Sequence, residues 1–366
     1  MWPNRRLIER LKIEHPIALS PMSRIGSVEL AVAVSAAGGL GSIGCVLLSP
    51  DEAAAEIGRF RKLTDKPFNL NFFAHRPPVV DAGKDAAWLD LMSRYYREYG
   101  ISFDTSLPRM AADPFGEDMC RLVESARPDV VSFHVGLPAP KFVDRIKAAG
   151  SVLMSSATTV EEAVWLEAHG ADVVIAQGIE AGGHRATFLA DDVVAAIDGQ
   201  MGTFALTPQI VDAVGVPVIA AGGIAGGRGI AAAFALGAAG VQMGTAYLLC
   251  PETTISPLYR DALRKVRGGE TVLTNVFTGR PGRAIGNRLT RDLGPISQAA
   301  PEFPRAMHAS MQLAAEARQR GQGDFTPFWA GQSAPLGVEL PARKLTELFV
   351  EDAMTRFAQL ASGKVA

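Results

Sequence analysis

The sequence predicts an α/β protein, a (β/α)8 barrel that carries an inserted, mostly helical cap. Short runs of almost entirely apolar residues alternate with helix-like segments over most of the 366 residues, as is typical of parallel strands covered on both faces. Eight such runs are present, the number that closes this barrel. The glycine-rich turns come late in the chain, whereas an open doubly wound sheet usually has its glycine-rich loop after the first strand.

The expected elements follow from this alternation in chain order. Strands are predicted at residues 16–19, 39–43, 68–73, 130–135, 152–156, 173–177, 216–221 and 240–246. Helices are predicted between them at residues 29–37, 50–63, 139–149, 160–169, 208–214 and 228–236. Several helices begin at a good N-cap or at a first-turn proline, at Ser49-Pro50, Thr159 and Thr207-Pro208.

Two connections, residues 76–127 and 251–328, are longer than usual and lie on the side of the barrel where the strands end. The first has an amphipathic stretch at 86–99, and the second has helical spacing at 257–266 and 303–320. A last helix is expected at 341–360. We therefore expect a barrel of residues 1–250 and 326–366, with residues 251–325 forming a helical cap over its mouth.

Composition argues against several classes of partner. A formal charge of -2 and a pI near 6.3 provide no electrostatic attraction for nucleic acid or an anionic membrane. Cys45, Cys120 and Cys250 are scattered, without the Cys-x-x-Cys spacing of a zinc site. No apolar run is long enough to span a bilayer, and no secretory signal is evident. We expect a cytoplasmic protein, and self-association is left open.

Glycine-bearing turns are the strongest functional signal. Gly222-Gly223 follows the seventh predicted strand and Gly244-Thr245 lies at the end of the eighth, where barrels of this type commonly bind phosphate. A third turn, with Gly182-Gly183, follows the sixth strand. Glycine lets the backbone approach a ligand closely, and exposed N–H groups suit an anionic oxygen. Met22 and Met243 are near the same strand ends, where they either line a flat apolar ring or fill the core.

Polar side chains converge on the same end of the barrel. His184 follows the third of these turns, and an imidazole titrates near neutrality, which suits proton transfer. The carboxamides of Asn71 and Gln177 can donate and accept hydrogen bonds at the edge of a flavin or purine ring. His75 and His134, near the ends of the third and fourth predicted strands, are weaker candidates for the proton-transfer group. No metal site is predicted, because the chain has no His-x-His pair and no Asp at the end of the eighth strand.

Together these motifs resemble the nitronate monooxygenases, formerly called 2-nitropropane dioxygenases, of the flavin mononucleotide (FMN)-dependent class. The resemblance covers nearly the whole chain, and its most specific segments are Glu180-Ala181-Gly182-Gly183-His184 and Gln242-Met243-Gly244-Thr245. The other matching segments are residues 38–41, 68–71, 132–138, 177–178, 220–224 and 328–332.

The resemblance implies a barrel that holds FMN without a covalent bond and uses His184 as the catalytic base. It implies substrate contacts at His134 and Phe303. Relatives often have tyrosines near the substrate, whereas the segment Pro301-Glu302-Phe303-Pro304 has a phenylalanine where a hydroxyl is expected. The expected cofactor-binding residues are Met22, Asn71, Gln177, Gly182, Gly183, Gly222, Gly223, Gln242, Met243, Gly244 and Thr245.

The expected activity is oxidation of alkyl nitronates such as propionate 3-nitronate, and of some nitroalkanes, by O2 to a carbonyl compound and nitrite. One alternative keeps the flavin but uses NAD(P)H to reduce quinones or enoyl thioesters. The sequence has no obvious separate nicotinamide-binding module, which argues against that alternative. Another alternative is a flavin-binding protein without turnover, against which the intact His184 argues.

Overall fold

The computed structural model describes residues 1–104 and 112–363, and within them eight parallel strands form one closed sheet. The order around the barrel, by residue range, is 17–19, 240–243, 218–221, 173–177, 152–157, 130–134, 68–73 and 41–44. A parallel bridge between Ala18 and Leu40 joins the first strand to the second and closes the barrel. The predicted (β/α)8 barrel is therefore confirmed. Its strands are β1 (Ile17–Leu19), β2 (Gly41–Gly44), β3 (Phe68–Phe73), β4 (Val130–His134), β5 (Val152–Ala157), β6 (Val173–Gln177), β8 (Val218–Ala221) and β9 (Gly240–Met243).

Helices cover the outside of the barrel and its ends. Most barrel strands consist of buried residues, since one face packs inside the barrel and the other packs against helices. The helices are α1 (Arg6–Leu11), α2 (Val28–Ala36), α3 (Pro50–Leu63), α4 (Ala82–Tyr99), α5 (Glu117–Ala126), α6 (Pro140–Ala148), α7 (Val160–Ala168), α8 (Thr203–Ala213), α9 (Gly227–Ala235), α10 (Pro257–Lys265), α11 (Arg288–Leu293), α12 (Met307–Gln319) and α13 (Ala342–Ser362). None of the helices in the described ranges combines the length and apolar character needed to cross a membrane.

Two of the three predicted helix starts are confirmed. The Ser49 hydroxyl accepts a hydrogen bond from the Glu52 N–H in a capping box, and the Thr159 hydroxyl accepts one from the Glu162 N–H. The third prediction is wrong, because α8 begins at Thr203 and contains Pro208. The carboxylate of Glu180 accepts the Thr203 N–H at 2.9 and 2.8 Å, so a side chain distant in sequence caps this helix.

The segment after the last barrel strand adds a small antiparallel sheet to its helices. Strands β10 (Thr271–Thr274) and β11 (Gly282–Ile285) pair with each other, and β11 also pairs with β7 (Gly183–His184) from the loop after β6. Sequence analysis did not predict this sheet. It connects the loop that carries His184 directly to residues 251–325.

Helix α4 packs with this segment in a hydrophobic cluster that is separate from the barrel core. Trp88 is almost fully buried there, and its Nε1 donates a hydrogen bond to the Ala306 carbonyl at 3.2 Å. Tyr96 donates its hydroxyl hydrogen to the Ala309 carbonyl at 2.8 Å. The division of the chain into barrel and cap at residues 250 and 325 stays a prediction, and α4 is a candidate for the cap side.

Candidate active site

A cavity of about 710 Å³ opens at the carboxyl ends of the barrel strands. It is bounded by the ends of β3, β4 and β6, by the turns after β8 and β9, and by one face of α12. The predicted site residues that line it are Met22, Asn71, His134, Gln177, Gly182, Gly183, His184, Gly222, Gly223, Gln242, Gly244, Thr245 and Phe303.

Met243 is the exception among the predicted site residues. Its side chain is buried in the hydrophobic core and does not line the cavity. Successive residues of a strand point to opposite faces, so Gln242 faces the cavity and Met243 faces away from it. Of the two roles considered for the Met243 side chain, core filling is the one observed, and a contact of its backbone with the cofactor stays a prediction.

The glycine turns allow close backbone approaches at one side of the cavity. A Cβ on Gly182 would lie 2.6 Å from the backbone nitrogen of Gly331, closer than the two atoms can pack. Gly223 has a φ of +71°, in the left-handed region that favours glycine. The Thr245 hydroxyl accepts a hydrogen bond from the Gly331 N–H at 2.9 Å. Three loops distant in sequence therefore meet here through their backbones.

The backbone of His184 is held from several directions. His184 pairs with Gly282 in the small antiparallel sheet. Its carbonyl accepts hydrogen bonds from Gln177 Nε2 and from His134 Nε2, each at 3.0 Å. Gln177 Oε1 also accepts the Ala186 N–H at 2.9 Å. Both ends of the Gln177 carboxamide are therefore used to fix the loop that carries the histidine.

The imidazole of His184 is bound at one nitrogen and surrounded by rings. Its Nε2 lies 2.9 Å from the Thr278 hydroxyl oxygen. Phe303, Trp329 and Phe73 pack around it with ring centroids 5.3, 4.8 and 5.9 Å away. No residue in the described part of the chain makes a hydrogen bond with Nδ1. That nitrogen is free to interact with a molecule in the cavity.

Three histidines form what we call the histidine cluster: His75, which is buried, and His134 and His184, which are half-buried in the cavity wall. Burial is the main cause of their lowered pKa values, about 4 for His75 and about 3 for His134 and for His184. The positive charge of Arg280 lowers the pKa of each one further. The imidazole of His184 is therefore neutral at physiological pH and has a lone pair available to accept a proton.

Buried arginines lie behind the loop of residues 177–187. Arg185 donates to the carbonyls of Gly178 and Gln177, each at 2.7 Å. Arg280 donates to the carbonyls of Arg185, at 3.1 Å, and Thr187. Burial lowers the pKa of Arg185 to about 9 and that of Arg280 to about 10, so both remain charged at neutral pH. These residues hold the loop and bring positive charge close to the cavity.

Other residues of the site were not predicted from the sequence. Thr278 and Trp329 contact the His184 ring. A stripe on α12 lines the cavity at spacings of three and four residues, which places its members on one helix face. This helical spacing in the sequence could have indicated that the four residues share one face of a helix. The residues of the stripe are Met307, Met311, Ala314 and Arg318.

Comparison with known proteins supports a common architecture and family. A model of the family described as nitronate monooxygenase matches residues 4–352. Nitronate monooxygenase from Pseudomonas aeruginosa is 43% identical over 350 residues, which are 95% of this chain and 98% of that protein. The structure of a nitroalkane oxidase from Streptomyces ansochromogenes superposes with a TM-score of 0.88 at 34% identity, covering 95% of this chain and 98% of the other.

A further solved structure, FabK from Thermotoga maritima, has a TM-score of 0.75 at 31% identity and covers 99% of both chains. The family model, the Pseudomonas relative and the superposed structures each match this chain over nearly its whole length. They also confirm the resemblance inferred from the glycine turns and His184, and they make this protein an enzyme of the oxidoreductase class. The chain belongs to the nitronate monooxygenase family.

Proposed function

We propose that this protein is an FMN-dependent enzyme that oxidises alkyl nitronates, and some nitroalkanes, with O2. The products are a carbonyl compound and nitrite. Two nitronate ions and one O2 give two carbonyl compounds and two nitrite ions, which balances atoms and charge. Membership of a family that is flavin-dependent in general supports the proposal, as does the likeness to a nitroalkane oxidase.

The cavity wall has features that fit a flavin. Gln242 Oε1 and Ser23 Oγ are buried in this wall without a hydrogen-bond partner in the described part of the chain. Buried polar atoms normally have partners, so unpaired atoms facing a cavity suit a polar ligand. The turns at Gly182, Gly223 and Gly244 would hold the phosphate end, and Asn71 and Gln242 would contact the ring system. When bound, the flavin supplies the electron transfer between substrate and O2.

One observation carries the proposal: a neutral, half-buried imidazole lies in the same cavity wall as the glycine turns. His184 would accept the proton from the carbon next to the nitro group of a neutral nitroalkane. A nitronate has already lost that proton and needs only to be bound. As negative charge develops on the substrate, it stabilises the imidazolium and raises the pKa of His184 above its value in the free protein.

The apolar rings around the base have a separate role. Phe73, Phe303 and Trp329 limit water next to the imidazole, which strengthens electrostatic interactions inside the cavity. Met307 and Met311 extend this apolar wall along α12. Because Phe303 lacks a hydroxyl, it makes no hydrogen bond to the nitro group.

The direct test uses purified protein and has two parts. An absorbance spectrum should show an oxidised flavin, and acid release of the cofactor followed by mass measurement should identify FMN. Nitrite should then be released from propionate 3-nitronate in air, and the flavin-free protein should release none. A colourless protein that cannot be reconstituted with FMN would contradict the proposal.

The two alternatives are tested with the same material. If NADPH or NADH rapidly bleaches the flavin without oxygen, and nitronates yield no nitrite, the protein is a reductase instead. If flavin is bound but neither electron donor reacts, it is a binding protein without turnover. The expected result is slow reduction by both nicotinamides and rapid nitrite release.

A further inference from the structure

We infer that Thr278 sets the tautomer of His184 and thereby makes Nδ1 the nitrogen that accepts the substrate proton. This inference rests on the proposed function, since it assigns a positioning residue to the same proton transfer. Thr278 lies between β10 and β11, 94 residues after His184 in the sequence. It lines the cavity next to the imidazole.

The hydroxyl of Thr278 is surrounded by three hydrogen-bonding groups. Its oxygen lies 2.9 Å from His184 Nε2 and 3.2 Å from the Arg280 carbonyl oxygen. The Arg280 N–H donates to it at 3.3 Å. Thr278 is only 2% exposed, so water has little access to this group.

Counting hydrogens assigns each of these contacts. A hydroxyl has one hydrogen to donate and two lone pairs to accept with. Arg280 N–H uses one lone pair. The Arg280 carbonyl can only accept, so the single hydroxyl hydrogen points to it. The remaining lone pair faces His184 Nε2, which must therefore carry a hydrogen.

The opposite tautomer would leave a buried carbonyl unpaired. If Thr278 donated to Nε2, its only hydrogen would be used there. The Arg280 carbonyl has no other donor among residues 1–104 and 112–363, and Arg280 is 8% exposed. A buried carbonyl without a partner is unfavourable. The Nε2–H tautomer satisfies every group in the cluster.

This arrangement determines the course of the proton. With hydrogen on Nε2, the lone pair of the neutral ring is on Nδ1, the nitrogen without a partner in the described part of the chain. The carbon–hydrogen bond of the nitroalkane breaks, its proton moves to Nδ1, and the electron pair stays on the substrate as the nitronate. The resulting imidazolium keeps its Nε2–H bond to Thr278, so the ring does not need to turn.

The tautomer itself can be observed without turnover. In flavin-loaded protein labelled with 15N at histidine, we expect the Nε2 resonance of His184 to show one-bond coupling to hydrogen and the Nδ1 resonance to show none. Loss of these resonances in His184→Asn assigns them. Thr278→Val, which keeps the shape but removes the hydroxyl, should produce a mixture of tautomers. A wild-type ring with hydrogen on Nδ1 would overturn the inference.

Kinetics provide the second test. Thr278→Val should lower kcat for nitroalkanes about tenfold, the effect of losing one hydrogen bond that orients a catalytic group. Its kcat for nitronates should change less than about threefold on the same reasoning. Thr278→Ser should restore both the nitroalkane rate and the single tautomer. Thr207→Val is the matched control, because the Thr207 hydroxyl is buried in α8 without a partner in the described structure.

The outcomes separate this inference from the proposed function. If the wild type releases nitrite but Thr278→Val keeps full nitroalkane activity and a single tautomer, the role of Thr278 is wrong and the proposed function stands. If the wild type releases no nitrite from either substrate, the proposed function fails, and the resonances still show whether Thr278 sets the tautomer. Equal losses in Thr278→Val and Thr207→Val would indicate a general effect of the substitution and contradict the inference.

Discussion

Replacing His184 by asparagine should separate the two substrate classes. Asparagine keeps a polar side chain at this position but has no basic nitrogen. A neutral nitroalkane needs a base to remove its proton, whereas a nitronate arrives already deprotonated. His184→Asn should therefore be far more damaging for nitroalkanes than for nitronates.

The size of the effect follows from the role of the base. A positioned general base typically contributes about a hundredfold to ten-thousandfold in rate, which corresponds to roughly 3–5 kcal/mol of transition-state stabilisation. The full effect is expected, because hydrogen bonds hold the carbonyl and Nε2 of His184, while Nδ1 has no partner in the described part of the chain. Nitronate turnover should fall by less than about tenfold, since it loses only a contact.

The assay is nitrite release under matched conditions. The kcat and kcat/KM of the wild type and of His184→Asn are compared with nitroethane and with ethyl nitronate, after the flavin content of each has been measured. His169→Asn is the control, because His169 is exposed at the end of α7 and lies outside the cavity. Equal and large losses on both substrates would refute this division of labour.

Three further predictions test the cofactor site, the cap and the histidine cluster. Gly182→Ala should weaken FMN binding at least about tenfold, as measured by fluorescence titration, because the added methyl group meets the backbone of Gly331. Gly199→Ala is the control and should bind FMN normally, because its methyl group meets nothing within 4 Å. Trp88→Ala should lower the free energy of unfolding in urea by about 3–5 kcal/mol, and a loss below about 1 kcal/mol would contradict its burial. The histidine cluster has pKa values below the unfolded value of about 6.5, so the unfolded state binds more protons as the pH falls below that value. Stability should be fully present above pH 6.5 and fall as the pH decreases toward 4, by about 1.4 kcal/mol per pH unit for each excess proton that the unfolded state binds. Unfolding free energies that do not change over this range would contradict the lowered pKa values.

The barrel could be predicted because its strands have a strong local signature. Residues 68–73 and 173–177 were predicted as strands and are observed as β3 and β6 with the same bounds. A strand buried on both faces needs a continuous apolar run, and the turns after it need glycine or polar residues. The residues of the strand and of the adjoining turns therefore indicate where the strand begins and ends. The placement of His184 and the glycine turns at one mouth then followed from the topology.

The features that escaped prediction depend on partners far away in the chain. Strand β7 has only two residues, Gly183 and His184, which is too short for any periodic pattern. Its pairing with β11 and its contact with Thr278 have no local signal. The start of α8 was misplaced for a similar reason, since Glu180 caps Thr203 while Pro208 only resembles a helix start. The role of the Met243 side chain was left open, because composition does not show which strand face a methionine occupies.

Because β7 pairs with β11, two distant stretches of the chain together position the proposed proton acceptor, His184. His184 is delivered by a barrel loop, yet the strand beside it and the hydroxyl at its ring belong to residues folded after the last barrel strand. Transplanting the glycine turns onto another eight-stranded scaffold would move His184 with them but leave behind the strand and the hydroxyl that hold it. A redesign of β10 and β11 for another substrate must therefore preserve the pairing of Gly282 with His184 as well as the shape of the cavity opening.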